Sequence, residues 1–184
     1  MKEEAFIYRI DNSDTIVSVS DNWDSFAYGN AWDSGCRPED VVGHKLWDFI
    51  EDIETQHLYA EMFQRVRSGM RCGPIPFRCD SPQERRFLEL VLVLMTDKQI
   101  EVTSRILRTE SREPVGLLDR ETARTSRLIR LCSMCKKMET PNKEWAEIEA
   151  GLAELRLFEA TEMPQITHGL CPHCYNATMA ELDD

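Results

Sequence analysis

Cys132 and Cys135 form one C-x-x-C pair, and Cys171 and Cys174 form a second, with residues 136–170 between them. A C-x-x-C turn brings two thiolates onto one cation, and zinc is satisfied by four such ligands in a tetrahedron at about 2.3 Å. Two pairs therefore complete a shell with no open position, which implies a structural zinc rather than a catalytic one. Iron in a rubredoxin-like site would use the same four donors. His168 precedes the second pair and His173 lies inside it, and an imidazole could replace a cysteine as ligand. With four thiolates present, His168 is expected to hydrogen-bond around the ligands or simply to pack in the turn, rather than to bind the ion. Cys36, Cys72 and Cys79 have no partner in the sequence and read as buried or strand-face thiols.

No Gly-rich phosphate loop, nucleophile elbow or H-E-x-x-H helix occurs. The chain is therefore read as having no catalytic residues and not being an enzyme. Trp23, Trp47, Phe49, His57, Phe63 and Phe77, with Phe87, are candidates for lining a ligand cavity, although aromatic residues at such spacings also make ordinary cores. His57 stands at the start of a helical stretch, where a histidine ordinarily faces solvent or core.

The elements that must position these residues follow from periodicity. AFIYRIDNSDTIVSVS contains two β-prone runs around the turn residues Asn12, Ser13 and Asp14, which predicts a hairpin. Asp21 and Asn22 precede Trp23, Phe26 and Ala27 at helical spacing, which predicts a short helix. Ile53, His57, Leu58, Met62 and Val66 predict a helix from about Glu54 to Arg67, with Gly69 as its stop. GPIPFRCD, RRFLELVLVLMT and QIEVTSRILRTES read as three strands, with Asp97 and Lys98 in a tight turn. This order predicts an α+β fold, an antiparallel sheet with helices on one face, ending near Leu118. Beyond it, Arg120, Arg124, Arg127 and Arg130 at steps of three and four predict a connecting helix from about Asp119 to Leu131. Trp145, Ile148, Leu152, Leu155 and Phe158 predict a second helix from about Asn142. MPQITHGLCPHCY reads as a metal-binding loop entering a last half-turn. The expected organisation is a sensory domain over 1–118 and a connecting helix with a small helical zinc-binding module over 119–184.

The formal net charge is -11, with 14 basic against 21 acidic residues through Leu118 and 8 against 12 after it. Duplex binding draws on Lys and Arg neutralising phosphates, so nucleic acid is not the expected partner, and anionic membranes are disfavoured likewise. The N-terminus carries acids where a signal peptide needs bases, and the run LELVLVLM is too short to span a bilayer. The expected compartment is the cytoplasm, where an odd set of seven cysteines is not a disulfide framework.

Three strings carry a resemblance: YRID followed by DTIVSVSDNWDSFA, then VVGHKLWDFI, then the GPIPFRCD strand. In this order, over roughly residues 5–110, the chain resembles a PAS domain. The resemblance implies a five-stranded antiparallel sheet whose inner face, with the helices, encloses a small cavity. GHKLWDF lacks the cysteine of the flavin-binding LOV type, so covalent flavin photochemistry is not expected. The tail, through Cys132, Cys135, Trp145, His168, Gly169, Cys171 and Cys174, resembles a cysteine-rich extension that follows PAS domains in bacterial signalling proteins. Together these imply a non-catalytic sensor or adaptor with a structural zinc and an unidentified PAS ligand, acting on a signalling partner or by self-association. Two other readings stay open: a zinc-ribbon nucleic-acid regulator using the four arginines with Lys136 and Lys137, and a haem or redox sensor using His57 or the cysteines.

Overall fold

The computed structural model describes residues 5–24 and 36–183. The expected hairpin is β1 (Ala5–Ile10) and β2 (Ile16–Val19). Its turn is tied by the Asp11 carboxylate, which accepts from the backbone N–H groups of Ser13 at 2.8 Å and Thr15 at 3.0 Å. A short helix α1 (Pro38–Val41) and a 3₁₀ turn (Leu46–Phe49) lead to α2 (Ile53–Arg67). Asp52 caps α2 by accepting from Thr55 N–H at 2.9 Å and Glu54 N–H at 3.3 Å, and Gly69 adopts a φ of 93° just past its end. Leu58, Met62 and Val66, four apart, are wholly buried on one face.

The three expected strands are β3 (Cys72–Arg78), β4 (Glu84–Leu94) and β5 (Ile100–Ser111). They join β1 and β2 in a five-stranded antiparallel sheet of order β2-β1-β5-β4-β3. Alternation is regular in β4, where Leu88, Leu90 and Leu92 are buried and the residues between them are not. Leu90 and Leu92, with Ile10, Ile100 and Val102, pack in one cluster with Leu58, Met62, Phe63 and Val66 of α2. Full burial of a side chain such as Phe63 removes it from water at a gain of roughly 2 to 3 kcal/mol. The sequence-expected helix after Asp21 falls largely outside the described residues.

The tail departs from expectation. Residues 119–131 form no connecting helix: after a 3₁₀ turn (Gly116–Leu118), Ala123–Cys132 is a strand, β6. It pairs in parallel with β9 (Glu162–Gly169), in the stretch expected to be a loop. β7 (Met138–Glu139) and β8 (Trp145–Ala146) complete a four-stranded sheet of order β8-β7-β6-β9. The expected long helix from Asn142 shortens to α3 (Ile148–Glu154), because Lys143 turns with a φ of 65° and Trp145 pairs as a strand with Glu139. Phe158, expected on its stripe, is exposed, and the last half-turn is a full helix, α4 (Pro172–Asp183). The module is thus mixed rather than helical. The arginine spacing misled because it is compatible with a helix, whereas the alternation of exposed Leu128 with buried Ile129 and Leu131 is set by pairing to a distant strand.

Two buried clusters result. Val115, Leu117, Ile129, Leu131, Met138, Ile148, Leu152 and Met163 form one between the second sheet and α3. Cys132, Met134, Leu170 and Cys171 belong instead to the cluster of the first sheet, with Leu58 and Phe63. Ion pairs join the two stretches as well. Arg78 pairs with Asp80 at 2.5 Å and Glu147 at 2.7 Å, Arg112 with Asp80 and Glu149, each at 3.3 Å, and Arg85 with Glu149 at 2.6 Å.

Candidate metal centre

The first knuckle lies where β6 turns into β7. Lys136 takes a φ of 60°, and its N–H donates to Cys132 O at 3.0 Å, while Cys132 N–H donates to Lys137 O at 2.8 Å. This closes a turn that aims Cys132 and Cys135 to one side. The second knuckle is the start of α4. Cys171 immediately precedes Pro172, whose fixed φ and missing N–H suit a first helical position. The Cys171 sulfur accepts from Cys174 N–H at 3.4 Å, and Tyr175 N–H donates to Cys171 O at 3.0 Å, so the helix opens around the second pair.

Parallel pairing brings the knuckles together. Cys132 of β6 lies opposite Gly169 of β9, and Ser133 N–H donates to Gly169 O at 2.8 Å. Cys171 N–H reaches the Cys132 sulfur at 3.4 Å. All four sulfurs lie within 4.8 Å of one another, with Cys135 and Cys171 at 3.7 Å. A tetrahedron with bonds of about 2.3 Å has edges of about 3.8 Å, so this spacing fits a single ion with thiolate ligands.

Crowding makes the sulfurs compete for protons. The Cys132 thiol is held far below its ordinary value by hydrogen bonds from Cys135 and Cys174, with burial opposing. Donating to Cys132 pushes the Cys135 thiol up to about 12, and donating to Cys132 and Cys135 raises Cys174 further. Without a cation the cluster favours one thiolate at the expense of its neighbours. A divalent ion would remove that competition and allow the thiolates to coexist.

No family model matches the chain, and no curated protein matches it. Among solved structures, a domain of an HTR-like protein from Haloarcula marismortui ATCC 43049 is similar to 56% of this chain and 98% of that chain, at 17% identity and a TM-score of 0.36.

Glu54 and Arg78, which the sequence reading gave no role, hold this cluster against the first sheet, with Arg130, Trp145 and Gly169 packed around them. The Glu54 carboxylate, in the first turn of α2, accepts from Leu170 N–H at 2.8 Å, next to Cys171, and from the Arg130 guanidinium at 2.5 Å. Arg130 in turn lies over the Trp145 ring, 5.8 Å from its centroid. A Cβ on Gly169 would sit 2.1 Å from Arg130 Nε, so only glycine leaves room for the guanidinium to pass. On the other side, Arg78 N–H at the end of β3 donates at 2.7 Å to the carbonyl of Met134, between the two cysteines of the first knuckle. Arg130 was visible only as part of an arginine stripe. Glu54 carried no signal, because its partners lie more than a hundred residues away or across the fold.

The remaining candidates are dispersed. His168 is exposed on β9 opposite Leu131 and is not part of the four-sulfur group. Phe63 is buried in the core, Phe77 half-buried on β3 and Phe49 exposed. Trp23 donates from Nε1 to Cys36 O at 2.8 Å. His57 and Trp47 line an open surface groove of about 310 Å³ with Ile53, Gln56 and Ala60. Phe87 lies beneath the guanidinium of Arg108, 3.7 Å from the ring centroid. Burial pushes the Cys72 thiol up to about 11 and raises Cys36 and Cys79, the opposite of what a nucleophile requires. No helix among the described residues is long and apolar enough to cross a membrane.

Proposed function

We propose that this chain is a non-catalytic sensor or adaptor of the PAS type, whose tail is fastened by one structural zinc on Cys132, Cys135, Cys171 and Cys174. The observation that carries the reading is the convergence of four sulfurs within 4.8 Å from two separate C-x-x-C turns. Zinc suits an all-thiolate tetrahedron closed to water, and such an ion contributes folding free energy rather than chemistry. The five-stranded antiparallel sheet with α1 and α2 on one face supports the PAS assignment. The signal would reach the tail through contacts with the knuckles, Glu54 to Leu170 and Arg78 to Met134, and the output would be contact with another protein or a second copy in a reducing, cytoplasmic setting.

The zinc-ribbon reading is less well supported. Arg124 spends its guanidinium on the carbonyls of Leu117 at 2.9 Å, Asp119 at 2.6 Å and Pro164 at 3.0 Å, and Arg130 spends its own on Glu54. Two of the four arginines are thus committed within the fold instead of facing phosphates. The test is native mass spectrometry with elemental analysis of protein purified without chelators. One zinc per chain is expected, and metal-free folded protein would overturn the reading.

A further inference from the structure

α2 buries one face and leaves another open. Thr55, Leu58, Met62 and Val66 point into the core, while Ile53, Gln56, His57 and Ala60, at helical spacing, line the groove of about 310 Å³ whose other wall is Trp47. Ile53 is 78% exposed, and Phe49 and Val42, shortly before it, are 38% and 39% exposed. An isolated exposed apolar side chain is ordinary, but Ile53 lines a groove together with Trp47 and Ala60, which marks a contact surface.

Charge selects the occupant. The stretch from Pro38 to Glu61 carries Glu39, Asp40, Asp48, Glu51, Asp52, Glu54 and Glu61 against one basic residue, Lys45, whose ammonium is bound to Ser13 O at 2.5 Å; Glu54 is taken by Arg130, and the exposed Glu51 and half-buried Glu61 flank the groove residues Ile53 and Ala60 in the chain. Such a rim repels nucleic acid and anionic lipid. It also repels a second copy, because a two-fold contact on this face would bring the same carboxylates together. We infer that the exposed face of α2 and its groove form a docking site for a basic amphipathic helix of a partner protein, with a bulky apolar side chain seated between Trp47 and Ile53. The helix would lay its apolar stripe on Ile53, His57 and Ala60 and place its Lys or Arg residues against Glu51 and Glu61. Ile53 precedes Glu54, so the docked helix would sit on the same turn that holds Leu170 beside the metal centre. The inference deepens the adaptor reading by giving its partner a chemistry.

The test uses the full chain and a fluorescent synthetic helix of about 15 residues with a Leu face and a Lys face, followed by anisotropy at physiological salt. A dissociation constant in the micromolar range is expected. Ile53→Arg and the pair Glu51→Lys with Glu61→Lys should each weaken it about tenfold, while Leu107→Ser, on an exposed site of β5, should leave it unchanged. Ile53 is exposed at a helix start, so its replacement leaves the core intact. Absence of binding overturns the inference. So does loss with the charge reversals but not with Ile53→Arg, which would reduce the effect to bulk charge. So does a homodimer dissociated by Ile53→Arg, which would assign the face to a second copy. Zinc content measured on the same samples separates this inference from the metal reading, since peptide binding by a metal-free chain would sink only the latter.

Discussion

Cys132 and Cys171, at 0% and 2% exposure, lie in one apolar cluster with Leu58 and Phe63. On the zinc reading, loss of the metal should therefore be felt beyond the tail. Cys171→Ser is expected to abolish stoichiometric zinc and to destabilise the chain by more than about 4 kcal/mol. Urea unfolding should show the loss around Trp47, under α2, as well as around Trp145 in the tail. A transition at Trp47 that stayed in place would mean the two stretches unfold separately. Gly169→Ala tests the neighbouring contact. The added methyl displaces Arg130 from Glu54, at a cost of roughly 1 kcal/mol for a partly exposed ion pair. In the background of Glu54→Gln the same substitution should cost clearly less, since both act on one interaction. Additive losses would show that Arg130 has found another place.

At the scale of elements, the five strands and α2 were legible because each carries its own period, two in β4 and 3.6 in α2. β6 was not. Helical spacing in its arginines competed with strand alternation, and the decision lay with β9, a strand contributed from the far side of the crossover 133–161. α3 is held to the first sheet by Glu149, which pairs with Arg85 and Arg112 beside Asp80 and Glu147. Burial raises the Glu149 carboxyl, but its backbone hydrogen bond and the guanidinium groups of Arg85 and Arg112 outweigh this and hold it below its ordinary value. A lowered value means that the carboxylate stabilises the fold at neutral pH and that this contribution is lost as pH falls below about 4.3 and through the lowered value. Glu149→Gln should therefore lower stability at neutral pH and flatten the acid limb of the stability curve. An unchanged acid limb, measured by denaturation across pH, would count against the pair.

For the whole molecule, the charge of -11 and the committed arginines give a clear expectation for nucleic acid. Neither duplex nor single-stranded DNA should bind with submicromolar affinity near 0.15 M salt, because acids outnumber bases on both sides of Leu118 and Arg124 and Arg130 are already engaged within the fold. A salt-sensitive shift at that level would restore the ribbon reading.

The sequence by itself determined the four thiolate positions, the antiparallel sheet and the helix that covers it. Those features rest on short-range facts: a C-x-x-C turn presents two sulfurs whatever surrounds it, and an alternating or amphipathic run needs only one apolar side to bury against. Only the tertiary structure decided that the tail is a second small sheet, that parallel pairing of β6 with β9 closes the cysteine cluster, and that Glu54 and Arg78 reach the two knuckles from the first sheet. Each of these is a contact between residues far apart in the chain, and nothing in the local pattern of Glu54, Gly169 or Arg130 specifies the partner that fixes its role.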